Sequence, residues 1–449
     1  MSHTLMQSRT PASPEVQEPA LEPRALMPTA PGPSVRTPAR RLALLDVLRL
    51  VAALAVVLFH WTAWHHGNWG RHGEPAAEAW PELSQFSSVG ALGVQLFFII
   101  SGFVILLSCY GKSPARFIGS RVARLYPAYW VAVLAAAALL FILWPELGQQ
   151  RSPGEILPNL TMFQGGMEGV GHLDGVYWTL WVEMKFYLWI LAFMLIGMSR
   201  TRVLVFAAAW PVTGTVLNAT MSAMGQDPTW VQVFLFPEYS ALFAGGMVLF
   251  LIHRFGHSHL RWSVLAVNVV IGSSWSAQIQ GRETAELTGY QYPQGLYWLI
   301  VVGLFGLVAL VTLTRLARVQ VPGASLAGSL TYPVYLVHQL WGWWLIMLLS
   351  PVLPKEVVLM TALGTVLAAS WAIHRGVETT LGPRLQRSVT AAVGNLPLVG
   401  ERLARPQGTA GPAHRAEPRR MRPWAADFAE RMPWAVVTDA VPVHRIPLR

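Results

Sequence analysis

Three ionisable residues, Asp46, Arg49 and His60, stand inside an otherwise apolar run, LALLDVLRLVAALAVVLFHWTAW, from Leu42 to Trp64. The run is long enough to cross a bilayer as one helix. An Asp or Arg at mid-membrane costs roughly 2.5–3.5 kcal/mol on the insertion scale, so such groups face a bundle interior or a wet cavity, not lipid. Arg49 and His60 are eleven residues apart. That is close to three helical turns, which puts both on one face about 16 Å apart, with Asp46 one turn below Arg49. The structural alternative is a buried charge pair plus a satisfied histidine. Snorkelling would accommodate Asp46 and Arg49 near one end of the helix, but it leaves His60 unexplained.

Further polar groups fall at membrane depth elsewhere. GALGVQLFFIISGFVILLS carries Gly90, Gly93, Gln95, Ser101 and Gly102. Small residues let helix backbones approach closely, while Gln95 and Ser101 are equally suited to lining a substrate path. RVARLYP places Arg121 and Arg124 three apart, on one helix face. Guanidinium forks suit phosphate oxygens, although a basic membrane flank would look similar. YWTLWVEMKFYLW brings Glu183 in from the end of its span nearest Tyr177, at a depth matched to His60. A carboxylate and an imidazole at one depth can form an acid/base pair; Lys185 offers the carboxylate a purely structural partner instead. SLAGSLTYPVYLVHQLWGWW adds Tyr332, Tyr335 and His338, with Pro333 expected to kink the helix. Tyr335 and His338 are read as structural or substrate-lining groups, not as a second base.

These groups require a scaffold of spanning helices. Hydrophobic residues make up 53% of the 449 and charged residues 12%, which excludes an ordinary soluble domain. Ten spans are predicted, near 42–64, 88–108, 126–144, 175–198, 203–222, 232–252, 262–280, 296–314, 325–349 and 357–374. The seventh is the most polar, being rich in Ser and Gln. Residues 1–41 are Pro-rich and polar and read as a disordered cytoplasmic tail. Residues 42–378 form the membrane domain, and 379–449 a polar, basic cytoplasmic tail. The first span is too long for a signal-peptide core and acts as an uncleaved anchor. Single Cys109 cannot form an internal disulfide, and no Cys/His spacing suggests a metal site.

Loop charge sets the orientation. Lys112, Arg116, Arg200, Arg202, Arg254, Arg261, Arg315 and Arg318 fall on one side, and most acids, such as Glu74, Glu146, Asp227 and Glu286, on the other. The positive-inside rule makes the first side cytoplasmic and puts both termini there. The +10 net charge is thus a membrane signature, not evidence for nucleic acid. Many of the 20 tryptophans fall near span ends, as an interfacial belt would have them.

Together these segments resemble the integral-membrane acyltransferase-3 family over roughly residues 42–378. Arg49 with His60 is similar to the family's first-helix arginine–histidine signature. GVQLFFIISGF, RVARLYPAYW, WTLWVEMKFYL and LTYPVYLVH resemble four further family segments, in family order. Met184-Lys185 departs from the more usual polar pair after the glutamate. The resemblance implies an all-α polytopic membrane protein of about ten helices around a polar cavity, in the plasma (inner) membrane. It implies an acyl-CoA donor, acetyl-CoA first among them, no permanently bound cofactor, and an acceptor hydroxyl on an envelope glycan, a glycolipid or a small molecule. Carried over by residue, His60 is the catalytic histidine; Arg49, Arg121 and Arg124 serve the donor; Glu183 supports the acceptor or the histidine. Asp46, Gln95, Ser101, Tyr335 and His338 line the substrate path. The rival readings are a secondary transporter with an intramembrane His/Glu/Arg pathway, which the physics of buried charge fits equally well, and a non-catalytic scaffold indifferent to His60.

Overall fold

Ten long helices follow one another in the computed structural model, which describes residues 42–148, 151–397 and 400–405. They are α1 (Ala43–Thr62), α2 (Gly93–Cys109), α3 (Pro114–Ala138), α4 (Trp178–Ile196) and α5 (Arg200–Ala223), then α6 (Pro237–Phe255), α7 (His259–Thr288), α8 (Gln294–Leu313), α9 (Ala324–Leu349) and α10 (Lys355–Ile373). In lipid each backbone N–H and C=O must be satisfied within the protein, and helices do this locally. Eight of the helical runs are long and apolar enough to cross a membrane. Helices α7 and α9 are as long, at 30 and 26 residues, and are not among those eight. The chain is an all-α polytopic membrane protein. Among the described residues its strands are one short antiparallel ribbon, Gly67–Trp69 with Glu74–Pro75. The tail expected at 1–41, and residues 406–449 of the one expected from 379, lie outside the described residues.

Two expected boundaries shift. The third span was expected from residue 126, but α3 starts at Pro114, where Ser113 caps it by accepting from the Arg116 N–H at 3.4 Å. Proline at the first helical position and a serine cap suffice to start a helix in polar sequence, so Arg121 and Arg124 sit well inside α3. Beyond the tenth span, a π turn over His374–Glu378 carries α10 into α11 (Thr379–Gly394). Helix α11 lies against α3: a side chain at Gly119 would meet Thr390 and the Gln386 carbonyl. Helix α9 runs unbroken through Pro333.

Helix α6 is the axis of the packing, with every residue from Ser240 to Ile252 buried. It crosses α2 backbone to backbone: a Cβ on Gly102 would collide with the Phe243 carbonyl, and one on Gly246 with the Ile99 carbonyl. Gly90 and Gly93 likewise seat on the carbonyls of Ala55 and Ala52 in α1. These glycines serve the close approach that the sequence offered as one of two readings for this segment. Outward faces carry bare apolar residues such as Leu299 and Met360, as lipid contact requires.

Gly102→Leu should therefore expel α6 from α2, whereas Gly303→Leu on α8, where a Cβ meets open space, should be silent. Overpacking of a close contact costs about 1–3 kcal/mol or more. Thermal melts of the detergent-extracted variants check this; equal melting temperatures would remove the contact's importance.

Candidate active site

Arg49 reaches a cavity of about 60 Å³ between α1, α2, α4 and α9, whose walls include Phe97, Phe98, Ser101, Thr179, Glu183, Thr331, Tyr332 and Tyr335. At roughly 10–15 Å³ per water by this measure, it has room for a few water molecules. Glu183 accepts from the Ser101 hydroxyl at 3.0 Å and from the Tyr187 hydroxyl at 2.7 Å, both on Oε1. Arg49 lies within electrostatic reach of Glu183, Asp46, Arg124 and Tyr187. Arg124 donates to Glu378 Oε1 and to the Gly328 carbonyl, each at 3.4 Å, and lies over the Tyr332 ring. Arg121 packs over Phe117 and Tyr187, and its buried Nε has no hydrogen-bond partner among the described residues. Of the three arginines, Arg49 lines the cavity; Arg124 is within electrostatic reach of it and ion-paired with Glu378, and Arg121 lies against Tyr187.

Toward the C-terminal end of α1 stands His60, buried and 7% exposed. Its Nδ1 faces the Val56 carbonyl at 2.8 Å. A carbonyl can only accept, so Nδ1 carries the hydrogen and the neutral ring keeps its lone pair on Nε2. The same Nδ1 stands 3.2 Å from Nε2 of His338. His338 in turn presents Nδ1 to the Tyr335 carbonyl at 2.8 Å, which fixes its tautomer by the same argument. Trp64 stacks on the His60 ring at 5.1 Å, and Trp343 lies beyond it.

The expected residues thus separate into two groups. Arg49, Ser101, Glu183 and Tyr335 share the cavity. His60 and His338 form a contact pair one turn beyond Tyr335, and neither lines that cavity. Glu183 was expected to face His60 at matched depth; its hydrogen bonds go to Ser101 and Tyr187 instead. Asp46 lies against Gly328, where a side chain would strike its carboxylate. Gln95 is buried away from the cavity wall with Oε1 unpaired. Sequence reasoning missed Tyr187, although it stands one helical turn from Glu183. It also missed Glu378, which joins Arg124 to His374 (Nδ1–Oε2 2.7 Å) from within the π turn; π turns often mark functional positions.

Just before α4, Asp174 caps the short turn Gly175–Tyr177 by accepting from the Val176 N–H at 3.2 Å. The Val176 carbonyl accepts from both Thr179 and Tyr335, so this turn holds one wall of the cavity. Burial pushes the Asp174 carboxyl up to about 7, against the pull of the Val176 and Leu340 amides. Beside Trp343, burial pushes His66 down to about 4, which leaves it neutral at pH 7.

Fold and site together define a polytopic membrane protein with a charged pocket and a histidine pair inside its bundle. The family model described as an acyltransferase domain, of the acyltransferase-3 type, matches residues 42–375, and the chain belongs to that family. It is 33% identical over 165 residues to Nodulation protein 10 of Rhizobium leguminosarum bv. viciae, covering 32% of this chain and 41% of that protein. It is 35% identical over 119 residues to the exopolysaccharide production protein ExoZ of Rhizobium meliloti (strain 1021), covering 22% and 33%. Acyltransferase MdmB of Streptomyces mycarofaciens is 27% identical over 195 residues, covering 39% and 49%. The matches therefore span between a third and a half of these relatives. No solved structure matches the chain.

Because the folded Asp174 holds its proton to higher pH than the unfolded chain does, stability should fall as pH rises from about 4 to 7. Asp174→Asn keeps the amide acceptor and removes that dependence. It should match the parent near pH 4 and exceed it above pH 7, by at most about 4 kcal/mol for a three-unit shift. Parallel melting curves against pH would show no such divergence if the carboxyl is ionised at no cost.

Proposed function

We propose that this chain is a membrane-bound O-acyltransferase that moves an acyl group, acetyl in the simplest case, from acyl-CoA to a hydroxyl of an envelope carbohydrate or a related acceptor. The observation that carries the reading is the His60 ring, whose Nδ1–H faces the Val56 carbonyl and whose Nε2 keeps a lone pair. A neutral imidazole in that tautomer is a general base ready to act. Family membership supports acyl transfer, and the name of the ExoZ relative connects that protein to exopolysaccharide production.

The chemistry balances on one proton. Nε2 of His60 takes the proton from the acceptor hydroxyl as its oxygen attacks the thioester carbonyl. The O–C bond forms, the C–S bond breaks, and the departing thiolate recovers the proton from His60 to leave free CoA. Arg49, Arg121 and Arg124 would hold the donor's phosphates, since guanidiniums pair with phosphate oxygens bidentately. Glu183, with Ser101 and Tyr187, would orient the group that lies between arginines and histidine. By the positive-inside rule the arginine-rich loops, and with them the donor end, would face the cytoplasm, with the protein in an inner membrane. A cavity of about 60 Å³ has room for a few waters and none for a pantetheine arm, so a wall would have to open for the donor, and the Thr179–Tyr335 contact (2.8 Å) in that wall is the candidate joint.

In membranes supplied with labelled acetyl-CoA, His60→Ala should lower transfer by about 10²–10⁴ at an unchanged level of inserted protein. Normal transfer by that variant would overturn the base assignment. Arg49→Ala should raise the KM for acetyl-CoA roughly tenfold or more, the loss expected for one hydrogen bond to a charged group; an unchanged KM would place the phosphates elsewhere.

A further inference from the structure

The acyl-transfer steps above use His60 and leave His338 without a role, yet His338 is completely buried and its ring closes on that of His60, with centroids 4.9 Å apart. Its Nδ1–H is spent on the Tyr335 carbonyl, so the lone pair on Nε2 meets the His60 Nδ1–H at 3.2 Å. The two histidines are also pinned reciprocally through their main chains. Trp61 of α1 donates to the His338 carbonyl at 3.0 Å, and Trp343 of α9 donates to the His60 carbonyl at 2.9 Å. Gly342 makes room for the Trp61 indole. These two bonds hold the α1 and α9 backbones together at the level of the two rings.

A base inside a membrane bundle acquires a charge when it takes a proton, and that charge needs a partner. A carboxylate commonly plays this part for a catalytic histidine, holding its tautomer and stabilising the cation. Here Glu183 is bonded to Ser101 and Tyr187, and the acceptors on the His60 Nδ1–H are the Val56 carbonyl and His338. We infer that His338 is a positioning residue for acyl transfer: its Nε2, set against the His60 Nδ1–H by the Tyr335 carbonyl and the paired tryptophans, aims the His60 lone pair and shares the charge that His60 carries until the thiolate reclaims the proton. This rests on the assignment of His60 as the base.

Two substitutions separate this role from packing. In His338→Gln the side-chain amide reaches the place of Nε2 and offers its oxygen to His60. In His338→Asn it reaches only the place of Nδ1, keeps the Tyr335 bond and leaves His60 without the second acceptor. With labelled acetyl-CoA, His338→Asn should lose about 10²-fold in kcat with an unchanged donor KM, and His338→Gln should recover to within about tenfold of the parent. Equal rates for the two variants, high or low, overturn the inference. On the unsubstituted protein, ¹⁵N-histidine NMR should show an Nδ1–H···Nε2 correlation that disappears in His60→Ala; its absence overturns the inference even where a variant does not fold. An active His60→Ala would instead bring down the base assignment itself.

Discussion

A guanidinium buried between membrane helices must be answered by an opposing charge, a carbonyl or water, and the arginine end of this bundle is built on that requirement. Arg49 has Asp46 and Glu183 within electrostatic reach. Arg124 has Glu378, the Gly328 carbonyl and the face of Tyr332. Glu183 is itself held by two hydroxyls, so the carboxylate is neither bare nor wholly spent on one cation. Burying charges is costly unless they are paired and hydrogen-bonded. The cavity beside Arg49 supplies the remaining solvation, and small residues let the partners come near: Gly328 leaves the space that the Asp46 carboxylate fills.

The histidine end follows a different rule. No carboxylate bonds His60 among the described residues; carbonyls and a second imidazole set its hydrogen, and indoles set its backbone. One end thus gathers arginines with their carboxylate and carbonyl partners, and the other a pair of imidazoles whose Nδ1 atoms face carbonyls. The two meet at Tyr335, whose side chain walls the cavity while its carbonyl anchors His338.

How much of this was legible follows from what a linear sequence encodes. Helix count, order and approximate depth are carried by apolar runs and by counting residues inward, so Arg49 and His60 could be placed on one face of α1 and Glu183 at a definite level. Direction around a helix axis toward a particular neighbour is not encoded that way. His60 therefore met His338, 278 residues away, while Glu183, expected at the level of His60, lies on the cavity with Arg49 and bonds Ser101 and Tyr187. Hydropathy also misjudged where α3 begins, because the basic stretch ahead of residue 126 is polar yet capped by Ser113 and fully helical. Glu378 was invisible for a related reason: it lies at the edge of the apolar pattern, and the π turn that directs it to Arg124 has no signature in the spacing of residues.

The backbone-to-backbone seat between α2 and α6 has a mechanical consequence. Where Gly102 and Gly246 bring carbonyls against neighbouring main chain, there are no side chains to swing aside, and the two helices must travel as a single keel. Alpha-helices α4 and α9 meet across the cavity through a hydroxyl pair, Thr179 with Tyr335, a joint that one rotamer change can undo. The hydroxyl contact is the weaker of the two joints, and parting α4 from α9 disturbs less packing than parting α2 from α6.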